Sequence, residues 1–255
     1  MRKSTYQKLT TKNKKNWTSQ KKKEWSKNAD FWIKIIRENL DPYREVVTNK
    51  AILNLIKKEK NSKILDAGCG EGYLCRLAAK IDKSNQIFGI DLSLKLIKTA
   101  KDLEKQRPLG IKYSVGDFRK TDFPSSFFDV IFSHQTIHEV PNPEKAIKEF
   151  FRILKKDGKL ILLFLHPCFE VDPKLYFEPI KIKKSSYLVS GIKSPSAYFY
   201  LHLPLSRWIE ILENNGFLIK RIDEPHPPLE LMKKDEWWKE NFQKPMFILI
   251  EGVKV

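Results

Sequence analysis

A glycine-rich turn gives the clearest chemical signal in the sequence. The run DAGCGEG at residues 66–72 follows an apolar stretch directly and precedes an amphipathic one. Gly68 and Gly70 permit a tight turn and a close approach of the backbone to a ligand, and the start of a following helix offers unpaired N–H groups. The run therefore predicts a loop that binds a nucleotide-like ligand. A dinucleotide fingerprint would need glycine where Tyr73 stands, so NAD is disfavoured.

Two aspartates stand where nucleotide-binding α/β folds contact the polar parts of a ligand. Asp91 closes the second apolar run, QIFGID, twenty-one positions after Gly70, where a carboxylate can accept hydrogen bonds from both ribose hydroxyls. Asp117 follows the third apolar run, in the sequence GDF. Taken singly, each aspartate could simply cap a helix or turn, and the glycines could serve only the turn. Because the glycines and both aspartates occur at the ends of successive apolar runs, they favour one shared site.

In this order the motifs resemble those of class I S-adenosylmethionine-dependent methyltransferases, whose first motif is an acidic residue followed by alternating glycines. The resemblance covers residues 63–166. It implies S-adenosyl-L-methionine as cofactor and S-adenosyl-L-homocysteine as product, with Asp91 on the ribose and Asp117 at the adenine amine. For Asp66, bracing of the glycine loop remains an alternative to ligand contact. The predicted cofactor-binding residues are Asp66, Gly68, Cys69, Gly70, Asp91, Leu92, Asp117, Phe118, Ser133 and His134.

The acceptor is expected beside the cofactor, beyond the carboxyl ends of the strands. His166, after the fifth strand, is predicted as a catalytic base because an unperturbed imidazole titrates near neutral pH. Alignment of the acceptor and exclusion of water can suffice without a dedicated base. His134 and His138 are four residues apart but lack a third ligand nearby, so no metal is predicted. The predicted substrate-binding residues are His138, Tyr198, Tyr200 and His202.

The class of acceptor is suggested mainly by a missing signature. Methyltransferases of exocyclic base amines often carry an Asp/Asn-Pro-Pro-aromatic motif after the fourth strand, and residues 133–136 read SHQT. The outer segments resemble small-molecule methyltransferases of the ubiquinone-biosynthesis type, and we expect methyl transfer to a small acceptor at oxygen, nitrogen or carbon. Two alternatives stay open: an RNA or protein methyltransferase that uses the basic N-terminal arm, and a non-catalytic cofactor-binding partner subunit.

Apolar runs alternate with amphipathic stretches from Lys63 onward, a pattern that predicts βαβ units and a parallel sheet covered on both faces. The last two apolar runs lack a crossover helix and predict an antiparallel pair at the sheet edge. We expect an α/β fold with a Rossmann-like, doubly wound, seven-stranded sheet. This sheet is mostly parallel with an antiparallel edge strand, and N-terminal helices and a lid insertion are added to it.

The whole chain, residues 1–255, is expected to form one methyltransferase domain. Residues 167–204 are predicted to form a substrate lid, because this stretch is long for a connection and rich in aromatic residues. Trp25, Trp32 and Tyr187 are further expected lining residues. The predicted parts are a basic flexible arm at 1–28, a helical cap at 29–60, the cofactor-binding core at 61–166, the lid at 167–204, and a C-terminal helix and strand pair at 205–255.

The net charge of +17 is concentrated at the N-terminus, where residues 1–27 hold ten basic residues against Glu24. Such a block can bind nucleic acid but is more commonly a solvated segment, so nucleic acid is not favoured as a partner. Cys69, Cys75 and Cys168 lack the spacing of a disulfide framework or a zinc site, and Cys168 is expected in the pocket or the core. With no apolar span or signal peptide evident, we expect a cytoplasmic protein.

Overall fold

The computed structural model describes residues 4–8, 16–169 and 171–255. Its strands are β1 (Ser4–Lys8), β2 (Lys63–Ala67), β3 (Gln86–Asp91), β4 (Lys112–Val115), β5 (Phe128–His134), β6 (Leu154–Leu165), β7 (Ile180–Lys184), β8 (Leu188–Val189), β9 (Ile192–Lys193), β10 (Tyr198–His202), β11 (Phe217–Asp223) and β12 (Phe247–Lys254). Its α-helices are α1 (Trp17–Arg37), α2 (Asn49–Ile56), α3 (Tyr73–Ile81), α4 (Leu94–Gln106), α5 (Pro143–Ile153), α6 (Leu205–Asn214), α7 (Leu229–Lys234) and α8 (Glu236–Asn241). A π-helical turn at Arg44–Thr48 precedes α2, and a 3-10 turn at Ile137–Glu139 follows β5.

Seven strands form the central sheet, in the order β11-β12-β6-β5-β2-β3-β4. Strands β2 to β6 run parallel, and β12 lies antiparallel between β6 and β11. The predicted seven-stranded, mostly parallel sheet is confirmed. Its antiparallel strand lies one place in from the edge, because β11 pairs outside β12.

Both faces of this sheet are covered, because successive strand residues point to opposite sides. On one face, Ile64 and its neighbours pack with α2, α3 and α4. On the other, Leu65 and its neighbours pack against α5 and α6. Continuous apolar strands of this kind are typical of parallel sheets buried on both sides. The two cores fix the carboxyl ends of β2 to β6 along one edge.

The N-terminal arm that we predicted to be flexible contains regular structure in its described part. Residues 4–8 pair with β7, and residues 17–28 form the first turns of α1 rather than a solvated segment. The prediction was wrong there because the lysine run hides a buried stripe, in which Trp17, Lys21 and Asn28 face the protein. Burial of Lys21 is compensated by the carboxylates of Glu24 and Glu139. Residues 1–3 and 9–15 lie outside the described part.

The predicted lid, residues 167–204, contributes four strands to small antiparallel sheets. Strand β7 pairs with β1 on one side and β10 on the other, and β8 and β9 form a hairpin. Ile180, Ile182 and Tyr198 pack together in its own apolar cluster. In the described ranges, no helix is both long and apolar enough to cross a membrane.

Truncation of Phe150 tests the packing of α5 on the sheet. Its side chain is fully buried in the core, and Phe150→Ala is expected to lower the free energy of unfolding by about 3–5 kcal/mol. The control is Phe177→Ala, because Phe177 is 82% exposed and its loss should change stability by less than about 0.5 kcal/mol. Urea unfolding of both variants measures the difference. Equal stabilities would contradict the described core.

Candidate functional site

The loops that follow β2, β3, β4 and β5 meet at the carboxyl edge of the sheet and surround a cavity of about 510 Å³. The strand order changes direction between β2 and β5, and open α/β sheets bind ligands at such a switch point. Residues of α1, the lid and α8 complete the walls. The cavity therefore has a core side, formed by strand ends, and an outer side, formed by added elements.

The glycine loop crosses the edge of the cavity with three left-handed residues. Gly68, Gly70 and Gly72 have φ values of +90°, +57° and +78°. A Cβ on Gly68 would lie 2.3 Å from a side-chain atom of Thr136, and one on Gly72 would lie 2.3 Å from the hydroxyl of Tyr113. A Cβ on Gly70 would meet no atom within 4 Å. Gly70 thus leaves open space on the cavity wall that a side chain would fill.

Asp91 links the end of β3 to this loop. The Gly70 N–H donates to its Oδ2 at 2.9 Å, and the Ser93 N–H donates to its Oδ1 at 2.8 Å. Burial raises the pKa of Asp91 to about 6, although both hydrogen bonds act to lower it. The carboxylate is consequently ionised at neutral pH and lines the cavity, in position to accept further hydrogen bonds.

Asp66 also lines the cavity, but as a buried carboxyl with a spare oxygen. Its Oδ2 accepts a hydrogen bond from Cys75 Sγ at 3.5 Å, and its Oδ1 has no partner among the described residues. Burial raises the pKa of Asp66 to about 8, against the hydrogen bond from Cys75. Among the described residues, no hydrogen bond joins the Asp66 side chain to the glycine loop, so the bracing role that the sequence left open is not observed. An unpaired buried oxygen is costly, so this atom is available to a hydrogen-bond donor in the cavity.

Phe118 and Asp117 lie on the side of the cavity that was predicted to hold the adenine. Phe118 lines the cavity with its ring packed on Phe150. Asp117 lines it too, but the Arg119 Nε donates to the Oδ1 of Asp117 at 2.9 Å. Although burial raises it, the pKa of Asp117 is lowered overall by the hydrogen bonds from Arg119. Asp117 therefore faces the cavity in its ionised form, with part of its capacity to accept hydrogen bonds already used by Arg119.

Two histidines, His134 at the end of β5 and His138 in the turn after it, face the cavity as neutral rings. His134 Nε2 lies 2.8 Å from Thr48 Oγ1, and Nδ1 of His138 has no partner in the described part of the chain. Burial lowers the pKa of His134 well below its usual range and that of His138 to about 3, with the Lys21 charge adding to the latter. No group of three metal-ligating side chains occurs among the described residues.

Four predicted site residues lie outside the cavity lining and are corrected here. Ser133 is fully buried, and its Oγ donates to Ala67 O within the sheet. Tyr200 and His202 share a strand face with Tyr198, but β10 runs away from the cavity, and only Tyr198 reaches it. His166 turns away as well, with Nε2 lying 3.1 Å from Glu224 Oε1. The structure therefore gives no support for His166 as the base.

The other predicted cofactor residues, including Cys69 and Leu92, do line the cavity, as do Trp25, Trp32 and Tyr187. The sequence did not identify Glu139, which follows His138 directly, or Lys21, which is hidden in a lysine run. Trp237 and Asn241 were also missed, because α8 lies in a segment that gave no helix signal. For Glu139 the available signal was its position after β5, which is the fourth strand predicted from the sequence. The same place in the sequence selects Ser133, His134, Gln135 and His138.

The Asp66 carboxyl predicts a specific pH dependence of stability. Its pKa in the folded protein is about 8, against about 3.9 in an unfolded chain, so its protonation stabilises the fold. This contribution is complete below about pH 4 and is lost as pH rises through about 8. In Asp66→Asn the titration is absent. Between about pH 6 and pH 9, we expect the unfolding free energy of the parent to fall by about 2.5 kcal/mol more than that of the variant. Parallel urea-unfolding profiles of the two proteins would contradict the described burial.

Comparison with known proteins connects this geometry to a family. Residues 65–162 match a family model described as a methyltransferase domain. A solved structure from Mesorhizobium loti, described as an S-adenosylmethionine-dependent methyltransferase, superposes with a TM-score of 0.65 at 20% identity. It covers 81% of this chain and 98% of that one. At this level of sequence identity, the structural similarity shows a shared fold.

Curated relatives extend the match at the level of sequence. Demethylmenaquinone methyltransferase of Chlorobaculum tepidum is 29% identical over 197 residues, which is 74% of this chain and 78% of that protein. Phosphoethanolamine N-methyltransferase of Triticum aestivum is 29% identical over 117 residues, 46% of this chain but only 23% of that longer protein. The matched domain, the strand order and the glycine loop all agree with a methyltransferase domain, and the fold is similar to that of S-adenosylmethionine-dependent methyltransferases.

Proposed function

We propose that the protein transfers a methyl group from S-adenosylmethionine to a small-molecule acceptor held in the 510 Å³ cavity. The observation that carries this proposal is the opening at Gly70, where the glycine loop leaves room for a ligand beside the Asp91 carboxylate. The spare Oδ1 of Asp66 adds a polar atom on the same wall. These donors and acceptors fit a ligand that carries ribose hydroxyls and an ammonium group.

The protein's share of the reaction is to bind, orient and exclude water. When bound, S-adenosylmethionine supplies an electrophilic methyl group together with its leaving group. Asp91 would hold the ribose hydroxyls, Phe118 would pack on the adenine ring, and Asp117 would accept from its amine. The glycine loop would contact the remaining part of the cofactor through its backbone. Fixing two reactants in one enclosed site can supply most of the rate enhancement, so a dedicated base is not required.

A small acceptor is supported by the aromatic side chains that line the site. Trp25, Trp32 and Tyr187 line the cavity, and pockets with such apolar walls commonly bury small ligands. The relatives above are named for a demethylated quinone and for phosphoethanolamine, both small molecules. The alternative of a macromolecular acceptor required a flexible basic arm to hold it, but residues 17–28 form a packed helix. We also propose a cytoplasmic location, in agreement with the free thiols of Cys69, Cys75 and Cys168.

A matched pair of glycine variants tests the cofactor site. Gly70 and Gly110 both have positive φ and no atom within 4 Å of an added Cβ, but only Gly70 lines the cavity. Gly70→Ala and Gly110→Ala should each lose about 1–2 kcal/mol of stability from backbone strain. Only Gly70→Ala should also weaken binding of S-adenosylmethionine, by at least about ten-fold, or about 1.4 kcal/mol.

Calorimetric titration with S-adenosylmethionine, and separately with NAD, measures the outcome. Saturable binding of S-adenosylmethionine to the parent protein and to Gly110→Ala is expected. Equal affinities in the two variants, or a preference of the parent for NAD, would contradict the proposed cofactor site.

A further inference from the structure

The outer side of the cavity contains a buried carboxylate that the cofactor residues do not use. Glu139 accepts hydrogen bonds from Lys21 Nζ at 3.1 Å, from Trp25 Nε1 at 2.8 Å and from the Tyr187 hydroxyl at 3.1 Å. These donors come from α1 and from the lid. Two separate elements thus converge on one carboxylate, which lines the cavity.

Glu139 has accepting capacity left over. Lys21 and Trp25 both donate to Oε2, whereas Tyr187 alone donates to Oε1. A carboxylate offers about four lone-pair sites on its two oxygens, and the described donors fill three of them. One further N–H or O–H donor from the cavity can therefore bind Oε1 without displacing a protein group.

The charge around Glu139 favours a cation over a neutral donor. Lys21 is shared, because its Nζ also lies 2.8 Å from Glu24 Oε1. When both glutamates are ionised, this buried cluster has one net negative charge. Burial raises the pKa of Glu24 to about 7, the Lys21 charge opposing it, and a cation bound nearby would favour its ionised form.

The cavity as a whole also carries more carboxyl groups than cationic groups, although the protein is basic overall. The described residues that line it include six carboxyl side chains, of which Asp66 is protonated at neutral pH, and only three cationic ones, whereas the chain as a whole has a net charge of +17. The carboxyl groups are those of Asp41, Asp66, Glu71, Asp91, Asp117 and Glu139, and the cations are Lys21, Arg44 and Arg119. An acidic cavity in a basic protein selects cationic ligands and repels anionic ones.

Aromatic rings lie beside Glu139 on the cavity wall. Trp25, Trp32 and Tyr187 line the cavity, with ring centroids 6.3 Å apart for the two tryptophans and 5.0 Å apart for Trp32 and Tyr187. The guanidinium of Arg44 already lies 5.9 Å from the Trp32 centroid. Tryptophan and tyrosine faces attract cations, and this attraction strengthens when water is excluded.

We propose that the acceptor is an amine, whose nitrogen binds Glu139 Oε1 among the rings of Trp25, Trp32 and Tyr187. This inference deepens the proposed function and rests on it. An amine that binds as ammonium must release one proton to expose its lone pair. Transfer of that proton to Glu139 leaves a neutral amine and a neutral carboxyl, so charge is conserved.

Calorimetric titration with three probes of equal size tests the proposal on the intact protein. The probes are benzylamine, benzyl alcohol and benzoate, each titrated with and without saturating S-adenosylhomocysteine. We expect benzylamine to bind at least about ten-fold more tightly than benzyl alcohol, or about 1.4 kcal/mol, and benzoate to bind most weakly. This ranking needs no variant, so it stands even if a substitution prevents folding.

Glu139→Gln keeps the size and the hydrogen-bonding shape of the side chain but removes its charge. We expect this variant to lose most of the preference for benzylamine while its affinity for S-adenosylhomocysteine stays unchanged. A merely structural role of Glu139 would affect all three probes alike. The control is Glu144→Gln, the same chemical change on α5 at a side chain that is 57% exposed and outside the cavity lining. It should retain the preference.

Three outcomes would overturn the amine proposal: benzyl alcohol or benzoate binding as tightly as benzylamine, no binding of any probe, or an unchanged preference in Glu139→Gln. Failure of the proposed function gives a different result, namely no binding of S-adenosylhomocysteine. The titrations without that ligand then still decide whether the outer side of the cavity prefers an amine.

Discussion

The hydrogen bond from the Gly70 N–H to the Asp91 carboxylate joins the two strand ends on which the site depends. Parallel strands bring their carboxyl ends to one edge, but they do not by themselves close a binding surface. Closure follows because the glycine loop bends toward β3 and packs against Thr136, which follows β5. Only glycine permits this path, since its positive φ values coincide with contacts that leave no room for a Cβ at Gly68. Three loops are thereby held around one cavity.

The other half of the site has a different physical basis. The core side is built by backbone geometry, whereas the outer side depends on a buried charge cluster. The indole N–H of Trp17 donates to the Glu139 carbonyl oxygen, and Lys21 and Trp25 donate to its carboxylate. Because an uncompensated buried charge is costly, these contacts favour docking of α1 onto the 3-10 turn after β5. Cofactor and acceptor would therefore contact elements that differ in how they are stabilised.

The sequence predicted what depends on local pattern. The alternation of apolar runs and amphipathic stretches was sufficient for the seven-stranded sheet, and the glycine run with Asp91 was sufficient to place most of the predicted cofactor residues on one cavity. What it could not predict depends on contacts between distant segments. Lys21 is separated from Glu139 by 118 residues, and a lysine within a basic run gives no sign that it is buried. His166 illustrates the opposite error, since a strand end indicates the right edge of a sheet but not the direction of the side chain.

The most direct test of this account is a crystal structure of the protein grown with S-adenosylhomocysteine. We expect electron density for the ligand inside the cavity, in contact with Gly70 and Asp91, and with Asp66 Oδ1 gaining a hydrogen-bond partner. The region between Trp25, Trp32 and Glu139 should remain free for an acceptor. Density at any other place on the protein, or a cavity without ligand at saturating concentration, would contradict the assignment of the glycine loop as the cofactor site.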